Sequence, residues 1–264
     1  MWKAMSIAVA LLGLTAGLLL AHDLFLKLDT YFVPPNTSLR VAVLSGSFTA
    51  SVGAVDAARL RDLSMVGPTA RVPLPHDAWT PAGDTTWLAI RSGAAGTYVI
   101  GASLLPREIG LSGEDFNNYL REDGIPDVLA ERTTRGELGR AVRERYQKHV
   151  KAIFQVGDAR SGAFSAVLGY PAEIVPLSNP YQHRVGDTLT VRCLVDGSPI
   201  GRQLVIAGGD RVTEVQARTD SSGVARFALT APGKWYVKFI RMVPVSGDSV
   251  NYESKWATLT FELR

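Results

Sequence analysis

Cysteine is nearly absent from this chain, and its scarcity restricts the available redox and metal chemistry. Cys193 is the single cysteine among 264 residues, so no disulfide can form within one molecule and no Cys-x-x-Cys metal motif is present. Cys193 falls on the apolar side of an alternating segment, and free cysteine is among the most buried residue types. We therefore predict that Cys193 is a core residue rather than a reactive thiol.

The sequence also lacks the common motifs of enzymes and of nucleic-acid-binding proteins. No Gly-rich phosphate loop precedes a helix, and neither a Gly-x-Ser-x-Gly elbow nor a His-Glu-x-x-His pair occurs. The carboxylates are scattered, so their spacing selects no acid–base pair. The formal net charge is only +3, and no Lys/Arg block is interleaved with aromatic residues. We therefore expect a non-enzymatic protein that does not bind nucleic acid.

The N-terminal segment, residues 1–21, has the composition of an export signal. Lys3 provides a positive start, residues 7–20 are apolar and uncharged, and Ala21 is a small residue at the expected cleavage position. Cleavage there predicts a periplasmic or secreted protein. An uncleaved helix that anchors the protein to the membrane remains the alternative, because the uncharged run 4–21 approaches bilayer-spanning length. Membrane contact is expected only through this segment, and only if it is retained.

The rest of the chain contains two regions of β type. Short segments rich in β-branched and aromatic residues lie between Gly and Pro turns, which is typical of a sandwich. Strict alternation is clearest in residues 188–196 and 257–263. We predict a mainly β fold with two β-sandwich domains, immunoglobulin-like or transthyretin-like.

Residues 105–158 have a different pattern and are predicted to be helical. Segments 114–120 and 131–154 are charged and carry apolar groups at helical spacing, with a break near Gly124. The second helix is inferred from apolar residues at steps of four, four and three: Val142, Tyr146, Val150 and Ile153. The predicted organisation is an export signal or anchor at 1–21, an N-terminal β-sandwich at 22–104, a helical insertion or linker at 105–158, and a C-terminal transthyretin-like β-sandwich at 159–264.

A weak internal repeat connects the two β regions. Tyr31 precedes the alternating segment that begins at Leu39 by eight residues, and Tyr181 precedes the one that begins at Leu189 by the same distance. The offset between the two pairs is 150 residues. This favours two related sandwiches, although any two amphipathic strands can look alike.

His22 is the main candidate for chemistry. Cleavage after Ala21 would leave His22 at the N-terminus, where its α-amino and imidazole nitrogens can chelate one metal ion, a donor set that suits Cu(II) and Ni(II). Both nitrogens must be deprotonated, and an α-amine has a pKa of about 7.7–8.0, so binding should weaken below neutral pH. Asp23 could add a carboxylate oxygen. In the alternative interpretation His22 simply frays in solvent.

The other three histidines are predicted to be surface residues. His183 precedes a strand in a loop, His149 lies among the charges of the predicted helix, and His76 is in a second loop.

Several motifs resemble those of a bacterial exported family, the domain of unknown function 4198. They are Gly169-x-Pro171-x-Glu173-Ile174-Val175-Pro176-Leu177-x-Asn179-Pro180-Tyr181, Ala231-Pro232-Gly233-x-Trp235-Tyr236-Val237, and Ala21-His22-Asp23 at the signal junction. That family is described as periplasmic and associated with nickel or cobalt uptake. The resemblance implies a β-sandwich protein with a transthyretin-like C-terminal domain. It also implies Ni(II) or Co(II) as the metal, in addition to the Cu(II) that the donor set of His22 allows, and a membrane transporter as a partner.

One departure from the family pattern weakens the metal prediction. Members often carry a histidine after the Phe-Ile pair of the Trp-Tyr-Val strand, but here that position is Arg241, which stays protonated and cannot donate a lone pair. The sequence thus leaves two hypotheses. One is a metal-handling accessory protein with His22 and Asp23 as ligands. The other is a structural or adhesion-type module that binds a protein or a glycan.

Overall fold

The computed structural model describes residues 22–264, so the predicted export signal lies outside the described residues. Within them the chain forms two α-helices, α1 (Gly113–Glu122) and α2 (Pro126–Thr134), and eighteen strands. No helix in this part of the chain is long and apolar enough to cross a membrane. The strands are β1 (Asp23–Leu28), β2 (Phe32–Val33), β3 (Ser38–Gly46), β4 (Leu60–Val66), β5 (Arg71–Pro73), β6 (Trp79–Ala82), β7 (Thr85–Arg91), β8 (Gly96–Leu104), β9 (Arg107–Leu111), β10 (Val142–Val156), β11 (Ala172–Pro176), β12 (Thr188–Val195), β13 (Ser198–Pro199), β14 (Leu204–Gly209), β15 (Val212–Arg218), β16 (Val224–Ala228), β17 (Gly233–Pro244) and β18 (Tyr252–Leu263).

The strands form three sheets. The first small sheet has the order β1-β3-β7-β6, and the second small sheet consists of β11, β12 and β13, with β16 also paired to β12. The large sheet has ten strands in the order β15-β14-β17-β18-β10-β8-β4-β5, with β2 and β9 paired to β10. The prediction of a mainly β fold is confirmed.

The strands β10 and β18 join the two halves of the chain in the large sheet. They pair in parallel, from Glu144 opposite Tyr252 to Ala152 opposite Thr260. The predicted helical insertion at 105–158 is therefore wrong over residues 107–111 and 142–156, which form β9 and β10. Two of the charged side chains that contributed to the helical prediction are buried on this strand: Lys148 and Lys151 are 6% and 2% exposed.

One hydrophobic core lies between the large sheet and the two small sheets. It includes Leu26 of β1, Phe154 of β10, Val191 of β12 and Leu259 of β18, all fully buried. The edge of β1 is also tied to the large sheet, because the Thr258 hydroxyl on β18 donates a hydrogen bond to the Leu24 carbonyl at 2.7 Å. The halves of the molecule therefore share a core.

Helices α1 and α2 cover part of the large sheet. Ser112 caps α1 by accepting a hydrogen bond from the Asp115 N–H at 3.1 Å. The Tyr119 ring stacks on Trp256 of β18, with the ring centroids 5.8 Å apart and the planes at 6°. The predicted break near Gly124 is confirmed: this glycine has a φ of +74°, which favours a residue without Cβ, and Pro126 begins α2.

Cys193 lies on β12 and has no solvent exposure, so the prediction that it is a core residue is confirmed. Burial raises the pKa of its thiol. We expect Ellman's reagent to leave Cys193 unmodified in the native protein and to label it stoichiometrically in denaturant. Rapid labelling under native conditions would contradict this placement.

Candidate functional site

His22 and Asp23 lie at the start of β1, among charged side chains of the large sheet. Lys148 of β10 donates a hydrogen bond from Nζ to the His22 carbonyl oxygen. Lys238 of β17 forms an ion pair with Asp23, with 2.5 Å between Nζ and Oδ2. Burial, and then the charge of Lys148, lower the pKa of His22. The two residues singled out from the sequence are therefore held by lysines from two different strands.

Two cavities meet at His22. The smaller, of about 300 Å³, is also lined by Asp23, Asp123, Glu214 and Lys238. The larger cavity, of about 830 Å³, lies between the loop after β3 and the strands β8, β9 and β10. His22 thus lines both an acidic cavity and a wider one.

Carboxylates dominate the smaller cavity. Burial, and then the charge of Asp23, raise the pKa of Asp123 to about 7, although Lys238 and Lys148 oppose the shift. Asp23 is 8% exposed, and its Oδ1 atom is buried without a hydrogen-bond partner in the described part of the chain. A buried carboxylate oxygen without a donor is costly, so Oδ1 identifies where a cation or a proton donor would be stabilised.

Lys148 is held between two aromatic rings. Its Nζ lies 5.3 Å from the centroid of Tyr146 and 5.0 Å from that of Trp256. Burial lowers the pKa of Lys148 to about 8, against the opposing charges of Asp23 and Asp123. The rings stabilise the ammonium in a poorly hydrated position, which keeps a cationic group on the wall of the larger cavity.

A buried carboxyl group lies further along β10. Glu144 accepts hydrogen bonds at Oε1 from the Tyr119 hydroxyl, at 3.1 Å, and from the Ser254 hydroxyl. Its Oε2 atom is buried without a partner in the region described. Burial raises the pKa of Glu144 to about 7, against the hydrogen bonds from Ser254 and Tyr119. This group connects α1 to the large sheet.

The remaining histidines lie elsewhere. His149 is 1% exposed and its Nδ1 is 2.9 Å from the Ser103 hydroxyl, so the prediction that it is a surface residue was wrong, because β10 is a buried strand. Burial lowers the pKa of His149 to about 3. His183 contacts the Ser178 hydroxyl at 2.7 Å beside a third cavity of about 470 Å³, and His76 is exposed.

The side chains alone form no metal centre in the described region. Across residues 22–264, no three His, Cys, Asp or Glu side chains are close enough to hold a metal ion. Arg241, at the position where the resembling family often has histidine, is exposed on β17. A metal site at His22 would therefore require the α-amino nitrogen that cleavage would create.

The fold defines a mainly β protein in which two small sheets pack on one large sheet. The family model described as Domain of unknown function (DUF4198) matches residues 19–242. The chain therefore belongs to this family, as the motifs of the C-terminal half indicate. No curated protein matches the sequence.

Solved structures show only distant similarity. The D0-D1 domain of intimin has 13% identity and a TM-score of 0.21, with 90% of this chain and 97% of that chain covered. A segment of two fibronectin type-III domains from chicken tenascin has 15% identity and a TM-score of 0.22, with 92% and 98% covered. TM-scores this low support no inference about function.

Proposed function

We propose that this protein is an exported, non-enzymatic binding protein that takes one divalent transition-metal ion at His22. The observation that carries the proposal is the unpartnered Oδ1 of Asp23, which is buried next to His22 in the acidic cavity. The chelate would consist of the α-amino and imidazole nitrogens of His22 and this oxygen. Nitrogen donors with one carboxylate suit Ni(II), Co(II) and Cu(II).

The charges around the site fit a cation in spite of the two lysines. Lys238 neutralises Asp23 through Oδ2 and leaves Oδ1 free. Asp123 and Glu214 line the same cavity and add negative charge. Lys148 bonds to the His22 carbonyl rather than to a donor atom of the chelate, so it orients His22 and does not compete for the metal.

The proposal includes a cellular context. The protein would act in the periplasm or outside the cell after removal of residues 1–21, and would pass its metal to a membrane transporter.

We also propose that each small sheet completes a sandwich with one half of the large sheet, the C-terminal one being transthyretin-like. The offset of 150 residues supports this, because it relates β3, inside the first small sheet, to β12, inside the second.

Calorimetric titration of two chains tests the proposal. The chain that begins at His22 should bind Ni(II) or Cu(II) near 1:1 at pH 8. A chain whose His22 α-amine is acetylated keeps the imidazole but has no basic amine to donate to a metal, and it should bind at least about tenfold more weakly, which corresponds to about 1.4 kcal/mol. Affinity should also fall below neutral pH as the amine is protonated.

Asp23→Asn and His183→Ala provide the matched comparison. The first removes the negative charge of the proposed oxygen ligand and should weaken binding, whereas the second alters a histidine beside a different cavity and should not. Equal binding by the native and acetylated chains would rule out the amine–imidazole chelate at His22. A module that binds only a protein or glycan would show no metal effect on melting, whereas an ion at 100 times its Kd stabilises by about 2.7 kcal/mol.

A further inference from the structure

The larger cavity carries three cationic side chains without carboxylate partners. They are Arg59, which follows β3 in a short helical turn, Arg107 of β9 and Lys148 of β10. None of them forms an ion pair with a carboxylate in the described part of the chain; the ion pairs there involve other residues. Nε of Arg59 is buried without a hydrogen-bond partner, although its Nη2 donates to the Leu105 carbonyl at 2.7 Å.

The two acidic residues of the same cavity do not neutralise these cations. The Asp56 carboxylate caps the short helical turn by accepting a hydrogen bond from the Ala58 N–H at 2.8 Å. Glu108 pairs with Arg143 at 2.9 Å and with Arg145 at 3.0 Å. The cavity therefore retains an excess of positive charge, part of which is poorly hydrated, since Lys148 is 6% exposed.

The remaining wall of the cavity is mainly apolar, apart from His22 and Ser45. Its apolar part includes Leu24, Val55, Leu104, Ile109 and the ring of Tyr146. A volume of about 830 Å³ lies within the range of small-molecule sites, which are about 300–1,000 Å³ and combine apolar walls with a few polar groups. Charge and shape together define the kind of ligand that fits: an apolar body that ends in an anionic group.

We propose that the larger cavity binds a small organic anion, whose carboxylate or phosphate pairs with Arg59 and Arg107 beside Lys148 and whose apolar body contacts Leu104 and Ile109. Guanidinium groups bind both oxyanions through paired hydrogen bonds, so the two classes share this chemistry. The proposal is independent of a metal at His22, because none of the groups that would hold the anion belongs to the proposed chelate.

Three probes with phenyl bodies separate charge from apolar contact. The chain that begins at His22 is freed of metal on an immobilised chelating resin, so that no soluble chelator is present, and is titrated with 3-phenylpropionate, phenyl phosphate and the neutral 3-phenylpropanamide. We expect one of the anions to bind 1:1 and at least about tenfold more tightly than the amide. The tighter of the two anions identifies the class.

Variants locate the site. Arg107→Gln and Arg59→Gln should each weaken binding of the tighter anion several-fold, and the double variant should abolish it. Arg226→Gln, an exposed change on β16 outside the cavity, should leave it unaltered. Arg107 is exposed, so its substitution should not affect folding, which the melting temperature checks. Equal affinity for anion and amide, unchanged affinity in Arg107→Gln, or no binding of any probe at millimolar concentration would overturn the proposal.

Discussion

Glu173→Ala should destabilise the protein by about 3–5 kcal/mol, the loss typical when one partner of a buried ion pair is removed. Glu173 lies on β11, and its Oε2 is 3.0 Å from Nζ of Lys151 on β10, with side chains only 1% and 3% exposed. The carboxylate also accepts hydrogen bonds from three backbone N–H groups, those of Leu168, Gly169 and Tyr170. Alanine would leave a buried ammonium and three backbone donors, two of them fully buried, without their acceptor.

Urea unfolding with matched variants tests this expectation. Lys151→Met should lower the free energy of unfolding less than Glu173→Ala does, because the carboxylate keeps its three backbone donors. The double variant should be more stable than Glu173→Ala alone, because it no longer contains a buried, unpaired ammonium. Arg226→Ala breaks an exposed pair with Asp220 and should cost far less. If Glu173→Ala unfolds at the same urea concentration as Arg226→Ala, the pair does not hold the second small sheet to the large one.

Glu144→Gln should make the protein more stable at pH 8 while leaving its stability near pH 5 almost unchanged. The folded-state pKa of Glu144 is raised by burial from 4.5 to about 7, so the folded state binds more protons than the unfolded state between these values. Stability from this group is fully present below about pH 4.5 and is lost as the pH rises through 7. A shift of this size corresponds to about 3 kcal/mol, which glutamine should restore at pH 8.

Denaturant unfolding at pH 5, 6, 7 and 8 measures the effect. Asp123 also has a pKa raised to about 7, so it too makes the free energy of unfolding fall as the pH rises. Glu144→Gln should therefore reduce this pH dependence rather than abolish it. Lys148, with its pKa lowered to about 8, contributes the opposite slope above that pH. Glu114→Gln, at an exposed position of α1, is the control and should keep the wild-type profile. An unchanged profile in Glu144→Gln would show that this carboxyl titrates normally.

The strands that the sequence predicts best are those whose burial alternates or whose turns are explicit. In β12, Leu189, Val191 and Cys193 are all fully buried, as their spacing indicates. The prediction failed at residues 142–156 because hydrophobic periodicity reports the difference between a solvent-facing and a core-facing side, and β10 has little such difference. From Lys148 to the end of the strand every side chain is buried, so its apolar spacing matched a helix by coincidence.

Of the residues in the candidate site, only His22 and Asp23, at the N-terminal end of the described chain, could be predicted from the sequence. His22 and Asp23 could be named because the predicted cleavage position draws attention to them. Lys148 and Lys238 could not, because they come from strands far apart in the sequence. They reach His22 and Asp23, respectively, only through the pairing of β10 and β17 with β18. A buried charge and a solvated one look the same in a sequence until the partner's position in space is known.

The parallel pairing of β10 with β18 also determines when the large sheet can be completed during synthesis of the chain. Arg145 and Glu253, which pair across this junction, are 108 positions apart. A ribosome therefore releases β10 long before its neighbour exists, and until then one edge of β10 presents unpaired backbone groups. The large sheet closes only after nearly all the described residues have emerged. The large sheet thus stays incomplete through most of the synthesis of the chain, which is compatible with the export that we propose.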